Sequence, residues 1–113
     1  MLSAKYRFHS RGGVRYTYQK GKTLRTPELS LVFNPNDRGY TRFAVVVSKK
    51  VAKSAVLRNR IRRRLYEAIR LNPTSFSRPQ DNIFVVYSKS LATLPFDELC
   101  RRLASLLEES YHS

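Results

Sequence analysis

Residues 49–70, KKVAKSAVLRNRIRRRLYEAIR, constrain this chain more than any other stretch. Nine basic residues stand there (Lys49, Lys50, Lys53, Arg58, Arg60, Arg62, Arg63, Arg64 and Arg70) against one acid, Glu67. Threaded through them are Leu57, Ile61, Leu65, Ala68 and Ile69, whose spacing of 4, 4, 3 and 1 is that of one helix face. Ser54 is placed to cap such a helix, because its hydroxyl can accept a free first-turn N–H. With Leu57 at zero and about 100° per residue, the apolar set spans roughly 0° to 120°. Asn59, Arg63 and Arg70 then fall near the opposite pole, at about 200° to 240°. Arg58 and Arg62 lie on one shoulder of the stripe, Arg60 and Arg64 on the other. The pattern predicts a helix over 55–71 with one side for a core and the rest for anions.

A solvated charged face would mix signs and use Glu–Lys pairs. Here only Glu67 can pair, with Arg63 or Arg64 one turn back. Guanidinium groups present planar forks of donors that match phosphate oxygens and stack on bases. Such clustering is the footprint of a polyanion site. Lys49 and Lys50 lead into the helix and can meet adjoining phosphates, and Asn59 can reach 2′-hydroxyls or base edges.

The whole chain agrees. At 113 residues it predicts one domain, residues 1–113, with a flexible basic arm at 1–10, and the net charge of +14 points to nucleic acid or an anionic membrane surface. No apolar run is long enough to span a bilayer and no secretory signal is visible, which predicts a cytoplasmic protein. Cys100 is the single cysteine and cannot form an internal disulfide.

Along the chain, a short helix at 14–20 should follow the break at Gly12-Gly13 and stop at Gly21, with Val14, Thr17 and Tyr18 sharing a face. Strands are predicted at 28–34, with Leu29, Leu31 and Phe33 inward, at 41–48 and at 82–88. The near-continuous apolar run at 41–48 suits a central strand buried on both faces, with a short strand around Leu24 beside it. A polar loop is expected at 73–81, and an amphipathic helix at 95–109 on Phe96, Leu99, Leu103, Leu106 and Leu107. The order α-β-β-(β)-α-β-α defines an α+β layer of helices on a sheet.

Side chains suited to catalysis are sparse. His9 and His112 stand near opposite termini without a carboxylate or cysteine at metal-ligand spacing, and Asp37 and Asp81 fall in predicted turns. No metal site is expected. Cys100 lies on the apolar side of its helix and reads as packing. Aromatic residues beside cations, in Tyr6-Arg7-Phe8 and Arg15-Tyr16-Thr17-Tyr18, can stack unpaired bases or fill a core.

The segment Arg58-Asn59-Arg60, preceded by a strand ending Ser48-Lys49-Lys50, resembles the protein subunit of bacterial ribonuclease P, and the frame around it fits nearly from end to end. The resemblance implies a single α+β domain, α-β-β-β-α-β-α, with a mixed four-stranded sheet and a left-handed crossover. It implies a non-catalytic role in a holoenzyme whose RNA subunit, using Mg²⁺, removes the 5′ leader of precursor tRNA; no cofactor is expected on the protein. By matching position Arg58, Asn59, Arg60, Arg62 and Arg63 fall on the RNA-facing motif. The charge pattern adds Lys49, Lys50, Lys53, Arg64 and Arg70. Tyr18 and Val32 match a cleft for the single-stranded leader, with Arg62 and Tyr66 beside it. Val14 stands where that cleft usually has Phe, and Tyr16 or Phe8 is offered as the replacement ring. A general RNA-binding or ribosomal protein without a processing role is the alternative that charge alone leaves open.

Overall fold

The computed structural model describes residues 2–8 and 11–112. Helix α1 (Arg11–Lys20) is followed by β1 (Lys22–Arg25), β2 (Leu29–Pro35), β3 (Arg42–Val47), α2 (Ala55–Leu71), β4 (Gln80–Val86) and α3 (Phe96–Tyr111). Single 3-10 turns occupy Ala4–Tyr6, Pro73–Phe76 and Lys89–Ala92. The four strands form one mixed sheet in the order β1-β2-β4-β3, antiparallel except for the β3–β4 pair. Helix α2 is the connection between those two parallel strands, as parallel pairing requires a crossover rather than a hairpin.

Strand alternation divides the core in two. Leu29, Leu31, Phe33, Phe43, Val45, Val47, Phe84 and Val86 join Ile61, Leu65, Ala68 and Ile69 of α2 and Leu99, Leu103 and Leu107 of α3 in the main cluster. Val32, Ala44 and Ile83, on the other sheet face, form a smaller cluster with Phe8, against which Val14 of α1 packs. With both faces covered, the strands carry apolar residues at nearly every position.

That burial explains a correction. The run at 41–48 was read as a central strand, yet β3 lies at the sheet edge and β4 is central; the short β1 pairs with β2, not β3. The edge is covered in another way. Arg7 makes a parallel bridge to Phe43, and the Phe8 N–H donates to the Phe43 carbonyl at 3.0 Å. Unpaired edge groups invite association with other chains, so this cover matters. The flexible arm expected at 1–10 is likewise corrected for residues 2–8: Leu2 and Phe8 are buried, one in each cluster. His9 lies outside the described residues.

Two boundaries also differ. Helix α1 includes Gly12 and Gly13, and β4 begins at Gln80, within the expected loop. Gln80 and Asn82 are buried there in a polar network. Gln80 Nε2 donates to Asn82 Oδ1 (2.6 Å) and Ser110 Oγ (3.0 Å), and Asn82 Nδ2 donates to Thr41 Oγ1 (3.0 Å). Asp81, read as a turn residue, instead accepts two 2.8 Å hydrogen bonds from the Arg42 guanidinium and one from Asn36.

Gly21 sets the approach of α1 to the sheet. A Cβ there would lie 2.5 Å from the Thr17 carbonyl oxygen and 2.6 Å from that of Phe33. Both are backbone atoms and cannot swing aside. Gly21→Ala should therefore lower stability by about 1–3 kcal/mol, read as a fall in the urea midpoint with little change in slope.

Candidate nucleic-acid interface

Helix α2 has the predicted bounds, and the Leu57 N–H donates to Ser54 Oγ at 3.3 Å. Ile61, Leu65, Ala68 and Ile69 are fully buried, with Leu57 at the margin. The phase of the helix follows from that burial and decides where each cation points. Asn59, Arg60, Arg63 and Arg70 are exposed, as are Lys49, Lys50 and Lys53 in the loop before the helix; Arg62 is half-buried and donates to Asn59 Oδ1 at 2.5 Å.

Two arginines of the motif hold the protein together. Arg58 donates from one Nη to the carbonyls of Ala52 (2.8 Å) and Lys53 (2.9 Å). It thereby pins the tight turn in which the Val51 and Ala52 amides bond to the Ser48 carbonyl, and with it the lysine-bearing loop. Arg64 donates to the carbonyls of Leu91 (2.5 Å) and Leu94 and lies 6.0 Å from the Phe96 ring. Burial, with repulsion from Arg60, pulls its pKa below the usual arginine value. Its expected place on the open RNA-facing surface is corrected: Arg64 joins α2 to the 3-10 turn before α3. Glu67 pairs with Arg70 rather than Arg63 or Arg64, and that hydrogen bond is the main cause holding its carboxyl down at about 2.

The remaining cations of α2 stand apart from acids. Among the described residues no carboxylate forms an ion pair with Arg58, Arg60, Arg62, Arg63, Arg64 or the three lysines, whereas on α3 Arg101 pairs with Asp97 (3.3 Å) and Arg102 with both Glu28 and Glu98 (3.1 Å). Like charges left unpaired on one surface repel one another and draw in polyanions.

The second candidate surface lies across the sheet under α1. Val32 is buried in its floor with Ala44 and Ile83. Tyr18 is 44% exposed at one end, and burial with the nearby Tyr87 hydroxyl pushes its pKa up. Tyr16 faces elsewhere, beside Asn34, Asp37, Arg38 and Arg42 at the opposite end of the sheet. The two rings are thus not brought together. Tyr66, expected beside that cleft, is instead buried, with the Arg7 guanidinium 5.8 Å from its ring centre, so it has no free face for a base. Desolvation raises its pKa.

Sequence reasoning missed Tyr87 and Arg25. Tyr87 is 41% exposed and the Arg25 guanidinium lies 5.8 Å from its ring centre. Strand parity was the available signal, since Ile83, Val85 and Tyr87 alternate onto the face that carries Val32. The Cys100 thiol is half-buried against the core and its pKa is raised by that burial, away from nucleophilic chemistry. His112 meets only Glu108, at 3.2 Å in solvent. Among the described residues no three His, Cys, Asp or Glu side chains are grouped to hold a metal ion, and no helix is long and apolar enough to cross a membrane.

Fold and surface together define a small, strongly basic α+β protein whose arginine-rich α2 carries a single acid, Glu67. The ribonuclease P family profile matches residues 2–111. The ribonuclease P protein component of Syntrophus aciditrophicus is 33% identical over 106 residues, covering 94% of this chain and 87% of its own length. That of Chloroflexus aurantiacus is 33% identical over 105 residues, covering 93% and 77%. The ribonuclease P protein of Thermotoga maritima has the same fold, with a TM-score of 0.81 at 24% identity over 91% of this chain and 96% of its own. That of Staphylococcus aureus gives a TM-score of 0.78 at 22% identity over 92% and 94%. The chain belongs to the ribonuclease P protein family. It is a protein component of the ribonuclease P holoenzyme, acts in tRNA processing, and associates with the RNA of that particle.

The division of labour within α2 is measurable on the free protein. Arg64→Ala, which strips partners from two carbonyls, should cost about 1–3 kcal/mol in urea unfolding. Arg60→Ala and Arg63→Ala should stay within about 0.5 kcal/mol of the parent.

Proposed function

We propose that the exposed face of α2 (Asn59, Arg60, Arg62, Arg63 and Arg70), with Lys49, Lys50 and Lys53, binds the catalytic RNA subunit. The outer sheet face, with Tyr18, Val32, Tyr87 and Arg25, receives the single-stranded 5′ leader of precursor tRNA. The observation that carries this reading is that Arg60, Arg62, Arg63 and the three lysines have no carboxylate ion-pair partner among the described residues, Arg70 alone of the set pairing with Glu67, beside a sheet face edged by the exposed rings of Tyr18 and Tyr87. Arg58 acts through the loop it pins, keeping the three lysines beside the helix instead of spending its charge on phosphate.

The chemistry belongs to the RNA subunit and the Mg²⁺ ions it holds. This protein lowers the phosphate repulsion between catalytic RNA and substrate, which raises substrate and metal-ion affinity in the complex. Endonucleolytic removal of the leader then yields the mature tRNA 5′ end. The site of action is the cytoplasm, where precursor tRNA is made and processed.

Leader removal by the cognate RNA subunit at low Mg²⁺ is the direct assay. Adding the protein should stimulate cleavage, and absence of stimulation would refute the role. With about six phosphates neutralised, the logarithm of the RNA binding constant should fall with the logarithm of salt at a slope of about −4 to −5. Losing Arg60 or Arg63 should flatten that slope by about 1 each.

A further inference from the structure

Beyond α2 and the cleft, a third surface combines an exposed ring, two half-buried tyrosines and a lysine without a carboxylate partner. Phe76 ends the 3-10 turn that follows α2 and is 40% exposed. Its inner side packs edge-on against Phe43, with ring centres 6.1 Å apart, and its flank lies 4.8 Å from Tyr6. Tyr6 in turn meets Tyr40 edge-on at 6.4 Å. Lys5 Nζ stands over both tyrosines, 5.4 Å from one ring centre and 5.2 Å from the other. No carboxylate among the described residues pairs with Lys5, and residues 1–27 contain seven basic side chains and no acid.

These groups are held by the fold. Leu2 anchors the segment in the main core and the Arg7–Phe43 bridge holds it to β3. Core packing accounts for the inner side of Phe76 but leaves the other side of the ring to solvent. An exposed ring beside an ammonium group on a protein of charge +14 suits a partner that is both flat and anionic. Unpaired nucleotides meet both conditions, because every base offers a π-face and every linkage a phosphate. A cationic ligand is disfavoured, since Lys5 already occupies the rings' cation-binding position.

We propose that Phe76, Tyr6, Tyr40 and Lys5 form a stacking site for single-stranded nucleic acid, separate from the outer-sheet cleft. One base rests on the open side of Phe76, and Lys5 meets the adjoining phosphate. The site lies just past the C-terminal end of α2, so an RNA strand that follows the arginine face and leaves its last turn passes onto it.

The chain has no tryptophan, so Phe76→Trp introduces a single fluorescent reporter at the site. That variant is titrated with a short oligouridylate and, in parallel, with inorganic polyphosphate of equal charge. Saturable quenching by the oligonucleotide and none by polyphosphate is the expected result. Adding Lys5→Gln should weaken the quenching transition several-fold. In the otherwise unaltered protein, Phe76→Leu keeps the apolar volume but removes the π-face, and should reduce oligouridylate affinity about 5-fold or more. Tyr40→Leu provides the same test if Phe76→Leu impairs folding. An unquenched reporter, equal quenching by polyphosphate, or unchanged oligouridylate affinity in the folded leucine variant would overturn the proposal. The catalytic RNA is absent from this experiment, so a negative result leaves the assignment of α2 standing, and that assignment is tested separately by the salt slope.

Discussion

Burial of Ile61, Leu65, Ala68 and Ile69 between the sheet and α3 is the contact on which the rest depends. Each large apolar side chain contributes about 1.5–3 kcal/mol when removed from water. Turning α2 by one residue, about 100°, would expose most of that surface and drive guanidinium groups into the core. The helix therefore has one rotational setting. That setting places Arg60 and Arg63 outward and brings Arg58 and Arg64 down against neighbouring carbonyls. A binding surface is obtained from a packing constraint, without a separate device to hold it.

The consecutive arginines do different work because their angles differ. Lysine could replace one that offers only charge to solvent, but not one that uses a planar fork on two carbonyls. Arg64 spans the carbonyls of Leu91 and Leu94, which lie on one side of the 3-10 turn before α3. Arg58 reaches back over the turn that begins at Ser48. The motif thus couples α2 to α3 at one point and to the lysine loop at another. The lysines that extend the basic surface are held by an arginine that faces inward.

Much of this was legible in the residues. Helix α2 was readable because the apolar spacing and the Ser54 cap agree. Even the inward arginines were encoded, since about 100° for Arg58 and about 340° for Arg64 put both within or next to the apolar arc. Matching position assigned Arg58 to RNA, and counting charge instead of angle added Arg64. Sheet order was not legible: an apolar run such as 42–47 reports two covered faces, and an edge strand covered by α2 on one face and Phe8 on the other looks like a central one. Tyr66 lies at about 180° on the wheel and should face solvent. It is buried because the β3 edge and residues 2–8 fold over that flank, a long-range packing that no local pattern carries. Val32 and Tyr18, assigned to the cleft by family resemblance, lie on the outer sheet face, Val32 in its floor and Tyr18 at one end. Tyr87 was passed over because the alternation of the strand at 82–88 was not followed onto the sheet face that carries Val32.

The central claim is that an outward guanidinium surface on α2 takes the RNA, while the paired arginines of α3 do not. Arginine-specific modification with phenylglyoxal, mapped by mass spectrometry on the protein alone and bound to the ribonuclease P RNA, reads this directly. Arg60 and Arg63 should react in the free protein and be protected in the complex. Arg64 should be slow in both states, and Arg101 should react in both. Protection of Arg101 with Arg60 and Arg63 still reactive would contradict the account.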